Sequence, residues 1–470
     1  MRVCLISLGC PKNLVDGETL LGQLAMAGHE IAAEPELAEA VVVNTCAFIQ
    51  AAQQESMQVI REIAARRRGG GLRLLVVAGC LAQRRGHTLL EDIPEVDGVL
   101  GTGAVGDAAA ALARMEQGER VSLASTPPGF LPQEAPVRLA STPPWRAYIK
   151  VTEGCSNRCA YCLIPGLRGP ARSREPAMVA AEARLLAAAG VRELTLVGQD
   201  LTRYGLDLPD KPGLGDLIPL LAGVDNLRWI RLHYLHPARL TRELLAAMAA
   251  EPRICRYLDV PMQHGDDRVL AGMNRGTTRE ELVALVADAR AALPGVSLRT
   301  SLIVGFPGET EAAYGRLLTF MREIRADYAG VFAYSRQPGT PAALLPGQVP
   351  GHVKVRRRAR ALALQRRLSA AQNELWVGRQ LETLIESGPH RLALPDGGEV
   401  TVVSGRSHRE APDVDGQVHV FRMDGPRAPL PSPGSFVQAR VVAAGPYDLY
   451  CEEVDEQDEA RGAPARFPGL

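Results

Sequence analysis

The stretch GCSNRCAYC (154–162) carries three cysteines, Cys155, Cys159 and Cys162, with no fourth nearby. Spacing this tight lets one loop wrap an iron–sulfur cluster, for which thiolates are the preferred ligands. Three thiolates fill three corners of a 4Fe–4S cubane and leave one iron open to a small molecule. A zinc site completed by a distant histidine is the alternative, although a loop with an aromatic, Tyr161, inside it is an odd structural zinc knuckle. Cys10, Cys46 and Cys80 stand 36 and 34 residues apart. Each closes an apolar run, and the separations match one strand–helix–strand unit. Parallel strands bring their carboxyl ends to one sheet edge, where such folds bind ligands, so these three thiols are expected to converge on a second metal site. Read singly, each would be a small buried apolar side chain. Cys4, Cys255 and Cys451 have no partner at ligand spacing and read as core.

The elements that must hold these thiols follow from periodicity. Over 1–115, apolar runs at 3–10, 40–46, 73–80 and 98–105 alternate with amphipathic stretches. That pattern predicts an α/β domain with a doubly wound parallel sheet. Residues 116–144, with STPPGFLPQEAP and STPP, read as a proline-rich linker. From 145 to 372, six further apolar runs (146–151, 193–198, 228–233, 256–261, 297–305 and 328–334) are separated by helical segments. Six repeats predict a partial (β/α)6 barrel whose chemistry sits on the loops after the strands, which is where GCSNRCAYC falls. The basic segment VKVRRRARALALQRRLSAAQNELW (353–376) reads as a joining helix with a solvated face. Residues 373–450 hold short runs divided by Gly, Pro and Asp, which predicts a small antiparallel β-barrel of the OB type. The polar segment 451–470 is expected to be disordered.

At 470 residues the chain has room for about three domains. Lys plus Arg equals Asp plus Glu at 53 each, so no global charge drives it to nucleic acid or to an anionic membrane. No apolar run approaches the roughly 18 residues that cross a bilayer, and the first residues lack the pattern of a signal peptide. A cytoplasmic location follows as the expectation, and there nine cysteines point to metal or redox chemistry before disulfides.

GCSNRCAYC resembles the signature of the radical S-adenosylmethionine superfamily, Cys-x3-Cys-x-aromatic-Cys. The resemblance implies that the open iron binds S-adenosyl-L-methionine, which an electron from the cluster cleaves to methionine and a 5′-deoxyadenosyl radical. Apart from the linker and tail, the chain resembles the methylthiotransferases: a first domain with three cysteines, a radical barrel and a TRAM-type β-barrel. That likeness implies two 4Fe–4S clusters, an auxiliary one on Cys10, Cys46 and Cys80 and the radical one on Cys155, Cys159 and Cys162. SLGCPKNLVDGE (7–18), IPGLRGPARSR (164–174) and REAPDVDG (409–416) are similar to the RimO-type branch. That branch methylthiolates the β-carbon of an aspartate in the twelfth protein of the small ribosomal subunit. The sister branch, which modifies adenosine in tRNA, typically has Gln-Met-Asn where this chain has Pro11, Lys12 and Asn13. Gly17 departs from the serine usual in the branch, and the tail past about 452 has no counterpart.

Charge supplies an independent sign on the substrate. Residues 373–446 contain seven arginines, no lysine and nine acids. Such a barrel is a poor clamp for RNA and a plausible dock for a basic ribosomal protein, free or in the ribosome. An electron donor and a sulfur donor are further expected partners, while no membrane is expected and nucleic acid is not the primary substrate. The same chemistry on a tRNA adenosine, and an iron–sulfur electron-transfer protein, are the rival readings.

Strand-end loops supply candidates for the S-adenosylmethionine contacts. Gly198, Gln199 and Asp200 would meet its methionine ammonium, unless Asp200 merely caps the following turn. Gln263 would bond the ribose hydroxyls, Arg275 would pair with the carboxylate, and Gly305 would let backbone approach the adenine. Tyr161 joins this set as the aromatic within the cysteine loop.

Overall fold

The computed structural model describes residues 1–124, 131, 136–393, 399–422 and 429–454. Of the expected linker 116–144, residues 125–130 and 132–135 lie outside the described residues, and Val121–Ser122 form a strand. The tail expected to be disordered from 451 starts later, because 451–453 belong to the strand Leu449–Glu453, and the rest of it beyond 454 lies outside the described residues. The chain packs as two compact units, Met1–Leu227 with Ser335–Leu344, and Arg228–Tyr334 with Leu345–Leu470.

In the first unit, β1 (Arg2–Ser7), β2 (Glu30–Ile31), β3 (Ala40–Thr45), β4 (Leu74–Gly79), β5 (Gly98–Leu100) and β6 (Val121–Ser122) form one sheet. Its order is β2-β1-β3-β4-β5-β6 and every pairing is parallel. Val41, Val43, Leu75 and Val77 face one core with Ile60 and Ile63 of the helix Gln50–Arg68. Val42 and Val76 face the other, with Leu20 and Leu24 of the helix Pro11–Met26. Covered on both sides, β3 and β4 carry unbroken apolar runs, Ala40–Val43 and Leu74–Ala78, instead of alternating.

All three strands stop short of the cysteines that the sequence pattern places on them, β3 at Thr45 just before Cys46. β1 ends at Ser7 because Gly9 turns the chain at φ +111° and Pro11 opens a helix with Cys10 as its N-cap. β4 stops at Gly79, whose φ of +90° sends Cys80 into the first turn of the helix Cys80–Arg85.

The same unit continues with β7 (Arg146–Lys150), β8 (Thr152–Glu153), β9 (Arg172–Ser173) and β10 (Glu193–Val197). β7 and β10 pair in parallel. The short antiparallel pair β8–β9 ties the base of the loop that carries Cys155, Cys159 and Cys162.

The second unit holds β11 (Trp229–Leu232), β12 (Tyr257–Asp259), β13 (Ser297–Val304) and β14 (Tyr328–Ala333), with β12, β13 and β14 in parallel register. Along the chain β7, β10, β11, β12, β13 and β14 are each followed by a helix, so the six expected strand–helix repeats are present in order. The division between units falls after the second repeat. The last helix, Gly351–Glu374, leads into β15 (Gln380–Ile385), β16 (His390–Ala393), β17 (Glu399–Ser407), β18 (Val418–Phe421), β19 (Phe436–Ala444) and β20 (Leu449–Glu453). These run in the order β15-β19-β20-β18-β17-β16, and an additional β15–β17 pairing closes a five-stranded ring. One pair, β18–β20, is parallel in a barrel expected to be antiparallel throughout. Cys451 lies in β20 and is fully buried, as its lack of a partner implied.

Candidate metal centres and the network between them

None of the nine cysteines is in a disulfide. Cys10, Cys46 and Cys80 follow β1, β3 and β4, three neighbours in the parallel sheet, and so lie along its carboxyl edge. Their loops touch. A Cβ at Gly9 would stand 3.1 Å from the Cβ of Cys46 and 3.5 Å from its sulfur, so the backbone beside Cys10 packs directly on Cys46.

Asn13 ties the three loops together from the first helix. Its amide nitrogen donates to the carbonyl of Thr45 at 2.7 Å and to that of Leu8 at 3.3 Å, fixing the segments before Cys46 and Cys10. Its amide oxygen accepts from the Cys80 thiol at 3.6 Å. Ser56 holds Cys46 by accepting from its N–H at 3.1 Å and donating to its carbonyl at 3.2 Å.

Electrostatics differ among the three. Burial raises the Cys10 thiol, but Lys12, Arg168 and the N–H groups of Asn13 and Lys12 outweigh it and hold the group below its ordinary value. Burial pushes Cys46 up, with the charge of Cys10 adding to it. Burial takes Cys80 up to about 11, against the pull of Arg168.

The second triad is built by a tight loop. Gly154 adopts φ +76°, and a Cβ there would meet the Pro170 carbonyl at 2.1 Å, so only glycine lets the chain fold back beside Pro170. The Cys155 N–H donates to the Gly169 carbonyl at 3.0 Å, and the Cys162 N–H to the Cys159 carbonyl at 3.1 Å. The Ile164 N–H reaches the Cys162 sulfur at 3.4 Å. Burial raises the Cys155 thiol, and Asp200 and Cys159 add to the rise. Tyr161 is half-buried in the turn between Cys159 and Cys162.

The donor sets fit iron–sulfur clusters: three thiols each, backed by backbone N–H groups and, at the first triad, by a guanidinium. Among the described residues, no group of three or more His, Cys, Asp or Glu side chains surrounds a single-ion position. Thiols at the corners of a four-iron cubane stand farther apart than the ligands of one ion.

Between the triads lies a buried ionic network that the sequence reading did not single out. Arg168, at the end of the helix Ile164–Arg168, is 1% exposed. It donates to Asp16 at 3.0 Å, to both Glu153 oxygens at 3.0 Å and to the Asn13 amide oxygen. Lys150 donates to Glu153 at 2.6 Å and also to Asp16. Two cations and two acids therefore cancel, as burial requires. Burial disfavours the Glu153 carboxylate, yet Arg168 and Lys150 hold it far below the usual range. Gln199 donates to Glu153 at 2.9 Å, which carries the network to the loop after β10. Next to it, Asp200 accepts from Asn157, inside the cysteine loop, at 2.7 Å. The clue in the sequence was a pair of charges, Lys150 and Glu153, within an otherwise apolar strand end.

The remaining candidates divide between the units. Gly198 packs so that a Cβ would strike the Thr152 hydroxyl at 2.1 Å. The Gln199 amide oxygen is buried with no hydrogen-bond partner among the described residues, an acceptor suited to a cationic amino group. Asp200 caps the turn Leu201–Arg203 by accepting from the Thr202 N–H at 3.1 Å, so the capping role is present alongside its bond to Asn157. In the second unit Gln263 sits at φ +70° with its N–H on the Ser301 carbonyl at 2.8 Å. Arg275 is buried and donates to the Pro261 carbonyl at 2.7 Å. Gly305 (φ +73°) gives its N–H to Glu309, and a Cβ there would meet the Lys354 stem at 2.4 Å.

Comparison with known proteins agrees with this arrangement. Residues 2–101 match the family described as "Uncharacterized protein family UPF0004", 149–321 the radical SAM superfamily and 377–454 the TRAM domain. The "Ribosomal protein uS12 methylthiotransferase RimO" of Desulforudis audaxviator is 50% identical over 95% of this chain and 96% of its own. The protein of the same name from Pelotomaculum thermopropionicum is 46% identical over 97% and 99%. Among solved structures, the radical S-adenosylmethionine methyltransferase TsrM of Kitasatospora setae shares the fold, with a TM-score of 0.55 at 20% identity over 73% of this chain and 77% of its own. With identity at this level along nearly the whole length, the chain belongs to the family of RimO ribosomal protein uS12 methylthiotransferases.

Proposed function

We propose that this protein inserts a methylthio group at the β-carbon of an aspartate of ribosomal protein uS12, the twelfth protein of the small subunit. The observation that carries the reading is the pair of three-cysteine sites, each on a strand-end loop, in a chain of this family. Cys10, Cys46 and Cys80 would hold an auxiliary 4Fe–4S cluster; Cys155, Cys159 and Cys162 would hold the one that binds S-adenosyl-L-methionine. When bound, these groups supply the radical that activates the carbon and the sulfur group that replaces its hydrogen.

The chain's own residues position and insulate. Asn13 fixes the first three thiols relative to one another through its bonds to Leu8, Thr45 and Cys80. The Arg168 guanidinium places a buried positive charge beside them, which favours the thiolate form that binds iron. Glu153 and Gln199 continue that contact toward Asp200 and the second loop. Gln199, Gly198 and Asp200 are the side we assign to the amino end of S-adenosylmethionine; Gln263, Arg275 and Gly305 remain our assignments for its ribose, carboxylate and adenine. We assign 1–115 to the auxiliary site, 145–372 to the radical chemistry and 373–450 to docking of the protein substrate. An electron donor and a sulfur donor complete the reaction, and we place it in the cytoplasm. Among the described residues no helix is long and apolar enough to cross a membrane.

The test is direct. Anaerobically reconstituted enzyme, reductant, sulfide and S-adenosylmethionine are incubated with uS12, and the aspartate-containing peptide is weighed. A methylthio increment on aspartate is the expected result; an increment on tRNA adenosine and none on uS12 would overturn the reading.

A further inference from the structure

The helix Gly351–Glu374 carries seven cations and one acid, Glu374 in its last position. Three of the cations are engaged by their own unit. Arg357 is buried against Glu309 and Glu311, Lys354 donates to the Tyr334 carbonyl at 2.9 Å, and Arg358 to that of Val331 at 3.0 Å. Arg356, Arg360, Arg366 and Arg367 are exposed, and among the described residues none makes a hydrogen bond or an ion pair.

At about 100° per residue, Arg356, Arg360 and Arg367 fall within roughly 40° of one another, on an exposed flank about 90° round the helix from the centre of the buried Arg357, Ala361 and Leu364. They span about 16 Å of helix. Ala359 and Ala363 line the same face and leave the guanidinium groups uncovered. A helix face kept only for solubility mixes both signs and gains from opposite charges four apart. Here Arg356 and Arg360 repel at that spacing, and no described carboxylate relieves them. Because the whole chain is neutral, with 53 charges of each sign, the stripe is a local concentration and not a general basicity.

We propose that this stripe binds the phosphate backbone of RNA, so that the enzyme docks on its protein substrate in the RNA-bound form found in the small ribosomal subunit. RNA is here a docking ligand and not the modified group. The inference rests on the ribosomal-protein reading above. Guanidinium groups in a row suit a polyanion of regular charge spacing, because each phosphate neutralised releases counterions and raises affinity.

The test uses the full holoenzyme and the triple variant Arg356→Gln/Arg360→Gln/Arg367→Gln. Glutamine and arginine have similar helix propensity, and unchanged circular dichroism verifies the fold. The probe is a fluorescent fragment of small-subunit ribosomal RNA, titrated at several salt concentrations. The variant is expected to bind at least about tenfold more weakly at 100 mM salt, with a log K–log salt slope shallower by about 2 to 3. On whole small subunits its methylthiolation is expected to slow by a similar factor while the rate on free uS12 stays unchanged. Wild-type affinity and slope in the variant would overturn the proposal, as would equal binding to phosphatidylserine vesicles or an unchanged rate on subunits. Absence of methylthiolation on both substrates by the wild type would instead strike the functional reading, because RNA binding is measured separately.

Discussion

Individual side chains separate the two centres. Cys46→Ala is expected to leave formation of 5′-deoxyadenosine intact and to abolish sulfur transfer, whereas Cys159→Ala stops both. Chromatography of deoxyadenosine beside mass analysis of uS12 checks this, and full sulfur transfer by Cys46→Ala would disprove the auxiliary site. Arg168 makes a different kind of prediction. Replacing it by methionine leaves Glu153 and Asp16 buried with Lys150 as their one remaining cation among the residues of the network. Removing one member of such a set costs about 3–5 kcal/mol. Chemical denaturation of the metal-free protein should show that loss, and Arg168→Lys should recover only part of it, since an ammonium on a shorter side chain, with three N–H donors, cannot reach the four acceptor atoms on Asn13, Asp16 and Glu153 that the guanidinium fork spans. Denaturation unchanged in Arg168→Met would mean that the network contributes nothing to the fold.

At the scale of elements, the turns that deliver the cysteines are the fragile points. A Cβ at Gly79 would stand 2.4 Å from the Asn44 amide oxygen and 2.7 Å from the Thr45 carbonyl, with the backbone at φ +90°. Gly79→Ala should therefore lose at least about 1–3 kcal/mol and bind less iron, read by calorimetry and iron analysis. The C-terminal barrel has a titration of its own. Burial, reinforced by Arg409, Arg231 and Arg256, takes the His408 imidazole down to about 3. A folded value below the unfolded 6.5 means that the unfolded chain binds the extra proton. Stability is then full above pH 6.5 and falls with acid from there toward 3, by up to about 1.4 kcal/mol per pH unit. In denaturant melts between pH 7 and 4, His408→Gln should flatten that slope; an unaltered slope would remove His408 as its source.

Elements also show what a sequence can carry. Cys155, Cys159 and Cys162 are legible because a cluster loop is local, and eight positions contain it. Cys10, Cys46 and Cys80 are legible because the period of a strand–helix unit converts linear spacing into adjacency. The Lys150–Asp16 and Arg168–Asp16 pairs were hidden, since they join residues 134 and 152 positions apart. A charged residue near a strand end reads as solvent-facing until its partner is known. The parallel β18–β20 pair was hidden for a related reason: alternation marks a strand's faces but not the direction of its neighbour.

For the molecule as a whole, the iron inventory is the integrating measurement. Anaerobically purified protein should hold about eight irons per chain, and the Cys10→Ala/Cys46→Ala/Cys80→Ala variant about four. Four irons in the unaltered chain would leave only one triad as a cluster site. The contacts that join Asn13 and Asp16 to Lys150, Glu153 and Arg168 carry a consequence for how such a chain can be assembled from parts. An N-terminal sheet transplanted onto an unrelated barrel would arrive with its carboxylate stranded and its asparagine unanswered. Recombination, natural or in the laboratory, should therefore succeed only where both halves of the seam travel as one inherited piece.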